Sequence, residues 1–168
     1  MKAVIGSLVL VGLLLGLTAL LVGTDPPPAA VADYLRLQEA RDRLPGSLSE
    51  LASLADRDDG VGWQARVALG RWHLAHGAPA LAVPILRSAL ALYPTSDLRA
   101  DLARALEGSG RAAEARGEWE ALLPHPDAVQ AVLRLEGDPL RAAATLTKGG
   151  APGEALTVLA AVGGAEAA

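Results

Sequence analysis

The sequence predicts an all-α protein, a short irregular α-solenoid of helical hairpins preceded by one transmembrane helix. An uncharged apolar run occupies residues 3–22, and the rest of the chain repeats a spacing of glycine, alanine and a large apolar residue. No segment shows the two-residue alternation that is typical of strands. We therefore divide the chain into a signal anchor (1–24), a proline-rich spacer (25–28) and a helical-repeat domain (29–168).

The apolar run has the length of a membrane span, because twenty residues at 1.5 Å each cover about 30 Å. Lys2 precedes it, which favours a cytoplasmic amino terminus and a domain on the other side of the membrane. Small residues are poorly placed for signal cleavage, so we favour an uncleaved anchor over secretion after cleavage. Gly12 and Gly16 form a GxxxG pair that would allow a homodimer through the anchor.

Prolines 26–28 end the anchor and form a stiff, extended spacer. The next helix is predicted over 29–44, with an apolar face formed by Val31, Tyr34, Leu35, Leu37 and Ala40. Ser47 and Glu50 have the spacing of a capping box that starts a second helix. That helix is predicted to end in a solvated loop over 56–60.

Trp63 to Pro94 is the best-defined unit, with two amphipathic helices that meet at Gly77 and a second helix that begins at Pro79. The unit resembles a tetratricopeptide repeat over residues 63–96. The matching positions are Leu69, Gly70, Gly77, Ala82, Leu86, Ala89 and Pro94. The small residues are predicted to let helices approach closely. Arg66 and His73 replace the repeat's usual aromatic residues, and Pro84 is expected to kink the second helix.

The hairpin pattern recurs at shortening intervals of 33, 27 and 13 residues. Its four copies are Gly77-Ala82-Leu86, Gly110-Ala115-Trp119, Gly137-Ala142-Leu146 and Gly150-Ala155-Leu159. Further helices are predicted to start with Ser96 as a cap, at Pro126, at Asp138-Pro139 and at Pro152. The last copy leaves no room for a first helix of its own, and its mostly apolar helix (154–162) is predicted to form an uncovered end.

The resemblance implies a concave groove lined by the first helix of each hairpin. The implied partner-binding set is Gln64, Val67, Arg71, Leu74, Arg104 and Arg134, with Asp97, Ala100, Glu107 and Ala131 beside it. Arg71, Arg104 and Arg134 would form an arginine ladder for a carboxylate or acidic peptide. The alternative is ordinary surface arginine. The family's peptide-carboxylate clamp needs lysine and asparagine, and Val67 and Arg71 stand at those positions, so that activity is not implied.

The sequence offers few other candidates for a metal-binding or catalytic site. His73 and His76 lie three residues apart, but no further ligand is spaced to complete a metal site. Glu118 is predicted to pair with Arg111 or Arg116, and Trp63, Trp72 and Trp119 are interpreted as packing residues. The net charge is −4 and there is no cysteine, which argues against nucleic-acid binding and excludes disulfides. We assign no catalytic residue, cofactor or metal.

The leading functional hypothesis is a non-enzymatic scaffold or adaptor, anchored in a bacterial inner membrane, that binds a protein partner on the periplasmic side. Such layouts resemble assembly factors of the cell envelope. The irregular hairpins also resemble, more weakly, the helical superhelix of lytic transglycosylases, which would make the chain a non-catalytic scaffold of a cell-wall enzyme. A structural accessory subunit of a membrane complex is the third hypothesis.

Overall fold

The computed structural model describes residues 29–166, which fold entirely into helices and the turns between them. The all-α prediction is confirmed for this part of the chain, which contains no strand. In chain order the helices are α1 (Ala29–Asp42), α2 (Leu48–Ala55), α3 (Gly60–Ala75), α4 (Pro79–Leu92), α5 (Ser96–Gly108), α6 (Ala112–Glu120), α7 (Pro126–Glu136), α8 (Pro139–Lys148) and α9 (Pro152–Glu166).

The helices pack in chain order, each against the helix that follows it. Contacts that skip one helix, such as those between α1 and α3 and between α3 and α5, join the first helices of neighbouring hairpins. The buried side chains form three clusters along the stack, around Leu51, Leu86 and Val132. The described residues therefore form a one-dimensional, repeat-like stack in which each hairpin covers its neighbours.

Left-handed glycines make the turns of the repeated pattern. Gly77, Gly110, Gly137 and Gly150 have φ of 71°, 79°, 66° and 84°. Only glycine adopts this backbone region without a steric cost, and it commonly ends a helix in this way. After three of the four, the next amide N–H donates to the carbonyl five residues back, as from Ala78 to His73 (2.9 Å). The repeated spacing thus predicted the turns correctly.

The alanines and large residues of the pattern lie where the sequence placed them, with one exception. All four alanines are at most 2% exposed, and Leu86, Trp119 and Leu146 are likewise buried. Leu159 occupies the corresponding position in the last copy and is 41% exposed, while Leu156 is 68% exposed. The exposure of these two side chains agrees with the prediction that α9 has an uncovered apolar surface.

Gly70 sets the distance between α3 and α4. A Cβ atom at this position would lie 2.5 Å from Leu86 Cδ2, so an alanine would require Leu86 to move. This confirms that small size at position 70 permits close helix approach. Pro84 lies on the exposed side of α4, and the helix remains continuous from Pro79 to Leu92.

Three local predictions are wrong. The capping box is absent, because Ser47 Oγ donates to the Ala40 carbonyl and Glu50 instead binds Arg43 Nη2 at 2.9 Å. Thr95, and not Ser96, caps α5 by accepting the Leu98 N–H at 3.3 Å. The residues of the predicted apolar face of α1 do not share one environment: Leu37 and Ala40 are buried, whereas Val31, Tyr34 and Leu35 are exposed.

The predicted anchor (1–24), the spacer (25–28) and the Gly12–Gly16 pair lie outside the described residues. Between residues 29 and 166, no helix combines the length and the hydropathy that crossing a bilayer requires.

Candidate functional site

The first helices of three successive hairpins carry a chain of alternating charges. Arg71 on α3 donates from Nε to Asp101 Oδ2 on α5 at 2.6 Å, and Asp101 Oδ1 also accepts from Arg104 Nη1 at 3.2 Å. Arg104 Nη2 then donates to Asp127 Oδ2 on α7 at 3.0 Å. We call Arg71, Asp101, Arg104 and Asp127 the charge ladder. It connects α3, α5 and α7 across two hairpin boundaries.

A second ion pair extends this surface on α5 and α7. Arg134 Nη2 lies 2.7 and 2.9 Å from the two carboxylate oxygens of Glu107, and Glu107 Oε1 also accepts the Trp119 indole N–H at 2.6 Å. Arg104 Cζ lies 5.6 Å from the centre of the Trp119 ring, within the range of a cation–π contact. Trp119 is 2% exposed, so its buried ring forms a rigid support beneath the charges.

Three shallow clefts run along the charge ladder, with volumes of about 220, 220 and 310 Å³. Arg71 lines both the first and the middle cleft, and Arg104 lines both the middle and the third. We call this continuous surface the groove. The side chains that line it are Arg41, Trp63, Gln64, Val67, Ala68, Arg71, Ser96, Asp97, Ala100, Asp101, Arg104, Glu107, Trp119, Leu122, His125, Asp127, Gln130 and Arg134.

The groove contains five of the six residues that the sequence proposed for partner binding. Gln64, Val67 and Arg71 line the first cleft, and Arg104 and Arg134 line the third. Leu74 does not line any of the three clefts and packs, partly buried, against the core cluster around Leu86.

The sequence placed two acidic residues of the groove, Asp97 and Glu107, but missed the other two. Asp101 and Asp127 were not assigned, although Asp101 and Arg104 have the i,i+3 spacing at which helical side chains meet. The link from Asp127 to Arg104 spans 23 residues and depends on how α5 and α7 are set against each other, which local spacing does not reveal. Each arginine of the predicted ladder is therefore already paired with a carboxylate of this chain.

Two of the three histidines contact a tryptophan on α3. His76 stacks on Trp72 with ring centres 4.1 Å apart, and His73 meets the same ring edge-on at 5.2 Å. The structure does not bring other ligands to them: among residues 29–166 there is no group of three or more His, Cys, Asp or Glu side chains arranged to hold a metal ion.

Elsewhere, a charged cluster fixes the start of α3. Asp59 accepts the Gly62 N–H at 2.9 Å and two hydrogen bonds from Arg57, which also binds Asp33 at 2.7 Å. These donors, the Arg57 guanidinium first, lower the pKa of Asp59 to about 2. The cluster caps a helix and joins it to α1, so its role is structural.

The predicted partners of Glu118 are wrong. Its carboxylate accepts from Arg99 at 2.8 Å, whereas Arg111 binds Glu114 and Arg116 binds Glu120 and Glu136. The guanidinium of Arg111 lowers the pKa of Glu114.

Comparisons with protein-family models, curated proteins and solved structures find no match to this chain.

Proposed function

We propose that this chain is a membrane-anchored scaffold or adaptor, built as a short irregular solenoid of tetratricopeptide-like hairpins. It binds a protein partner on the extracytoplasmic side of a bacterial inner membrane, in the assembly of an envelope or membrane complex. The observation that carries the proposal is the groove, a continuous surface to which four successive hairpins contribute. The apolar run over residues 3–22 supports the anchor.

The charges of the groove favour a partner with both signs of charge over a purely acidic one. Every arginine of the charge ladder already has a carboxylate neighbour, so an acidic ligand must compete with Asp101 and Asp127. A segment with alternating charges can instead offer each arginine a carboxylate and each aspartate a cation. Complementarity of this kind fixes the register of the partner more than it adds affinity.

The internal ion pairs of the charge ladder can be replaced by ion pairs with a bound protein, because the arginines of the ladder are about half exposed. The side chains of Arg71 and Arg104 are 52% and 49% exposed. Exposed ion pairs contribute only about 0.2–1 kcal/mol each, so replacing one by an equivalent pair with the partner costs little. The Glu107–Trp119 hydrogen bond keeps the underlying surface fixed while this happens.

The test is a crosslinked pull-down of the full chain from membranes, with a variant that reverses the ladder. Replacing Arg71 and Arg104 by glutamate, and Asp101 and Asp127 by arginine, keeps each internal pairing and the net charge while inverting the charge pattern. We expect this variant to fold normally, as measured by circular dichroism, and to lose the crosslinked partner.

The matched control is Arg43→Glu with Glu50→Arg. This swap reverses a single ion pair, in which Arg43 Nη2 lies 2.9 Å from Glu50 Oε2. Neither residue lines any of the three clefts. We expect it to retain the partner. Equal recovery of partners by both variants would show that the groove is not the binding surface.

A further inference from the structure

The exposed apolar side chains of α1 form one patch. Val31, Tyr34 and Leu35 follow i, i+3, i+4 spacing and therefore share a helix face. Their exposures are 45%, 47% and 47%. We call these three residues the α1 patch. An uncovered patch of this kind marks a contact with another molecule or with a membrane more often than scattered exposed residues do.

The opposite face of α1 fixes the direction in which the patch points. Leu37 and Ala40 are completely buried against α2 and α3, and Asp33 binds Arg57 at 2.7 Å. The helix is thus held against the stack by one face. The α1 patch faces away from the stack and keeps that orientation.

The chain that precedes α1 keeps the patch close to the predicted bilayer. The apolar run ends at Val22 and α1 begins at Ala29, a separation that a fully extended chain covers in at most about 25 Å. The amino-terminal end of α1 therefore stays within about 25 Å of the end of the predicted anchor, a distance that allows α1 to reach the membrane surface.

The polarity of α1 changes along the same face. Its amino-terminal half presents the α1 patch, whereas further along the face the helix carries Gln38 and Asp42. The apolar part is thus the part nearest to the anchor. A tyrosine suits this position, because its ring is apolar and its hydroxyl remains hydrated at the depth of the lipid headgroups.

From this placement we infer that the α1 patch inserts into the headgroup region of the bilayer that holds the anchor, so that α1 lies on the membrane surface. The occupant is a phospholipid interface. Three half-exposed side chains offer far less area than the roughly 800 Å² per partner of a standard protein interface, which argues against a second copy. The inference rests on the anchor of the proposed function, but not on the groove.

The absence of cysteine in the chain allows a site-specific test. Leu35→Cys carries a polarity-sensitive fluorophore on the patch, and Leu81→Cys carries it on α4, where the native side chain is 57% exposed. Each labelled full-length chain is reconstituted into vesicles of phosphatidylglycerol and phosphatidylcholine with brominated acyl chains, and circular dichroism verifies folding. A second patch site, Val31→Cys, guards against a local effect of one substitution.

We expect bromine to quench the labels at positions 31 and 35 roughly threefold or more relative to position 81, because an interfacial helix places its apolar face about 5–10 Å into the headgroup and acyl boundary. Equal quenching at all three positions in chains that float with the vesicles overturns the inference and leaves the anchor intact. Chains that do not float with the vesicles overturn both the inference and the predicted membrane anchor. Self-quenching that falls when the protein is diluted in lipid identifies a second copy as the occupant, which also overturns it.

Discussion

The α3–α4 hairpin and the α8–α9 hairpin contain the same glycine, alanine and large apolar residue, yet they differ in how much they bury. Leu86 is 0% exposed in the first, whereas Leu159 is 41% exposed at the equivalent position of the second. The first hairpin has a neighbour on each side, and the second has a described neighbour on one side only. Local sequence therefore determines the turn, but the next helix along the chain determines whether the pattern yields a core.

The largest expected effect comes from truncating the two equivalent leucines. Leu86→Ala should lower the free energy of unfolding by about 2–5 kcal/mol, because it leaves a cavity in a closed core. Leu159→Ala should lower it by only about 1 kcal/mol, because 41% of the residue is already exposed to solvent. Urea titration of the full chain in mild detergent, followed by circular dichroism, measures both. Similar losses for the two variants would show that α9 is covered.

Two of the glycines inside helices, Gly70 and Gly163, should respond to alanine in opposite directions. Gly70→Ala should destabilise by about 1–3 kcal/mol, since its Cβ would meet Leu86 at 2.5 Å. Gly163→Ala on α9 meets no atom within 4 Å and should stabilise by up to about 1 kcal/mol through helix propensity. Thermal unfolding of the two variants provides the measurement. A neutral Gly70→Ala would mean that α3 and α4 separate easily.

The smallest expected effect concerns the start of α3 and depends on pH. Asp59 has its pKa lowered to about 2 from 3.8, so its ionised form stabilises the folded chain above about pH 4, and this contribution disappears as the pH falls towards 2. Asp59→Asn should therefore lose less thermal stability over that interval than the parent chain.

The control for that experiment is Asp56→Asn in the same loop, which removes one charge without touching the cap of α3. It should follow the parent chain between pH 4 and 2. If Asp59→Asn follows the parent chain as well, the hydrogen bonds from Arg57 and Gly62 do not stabilise the ionised carboxylate in solution.

Helix positions and turns were predictable because their causes are local. A left-handed turn at Gly77 or Gly150 depends on one residue, and a helix start at Asp138 depends on hydrogen bonds two and three residues ahead. Ser47 shows where such reasoning fails. Its hydroxyl has a local acceptor role available but donates to Ala40, seven residues back, because the hairpin brings that carbonyl within reach.

The candidate site was predictable in its arginines and in the two acidic residues Asp97 and Glu107. The resemblance to a helical repeat placed Arg71, Arg104 and Arg134 on one side of the stack, and the clefts bring these residues to one surface. Their carboxylate partners Asp101 and Asp127 depend on the rotation and offset of α3, α5 and α7, which side-chain periodicity within a single helix does not specify. The sequence therefore predicted a basic surface, whereas the folded chain has a neutral surface with alternating charges.

Packing in chain order also determines how the molecule opens. α9 contacts mainly α8, so releasing it breaks one interface and leaves the α3–α4 hairpin closed. Its amides should consequently exchange with solvent well before those around Leu86, whose exposure requires breaking contacts on both sides. Local opening of α9 would therefore leave the residues of the groove in place, because none of the groove residues lies on α9.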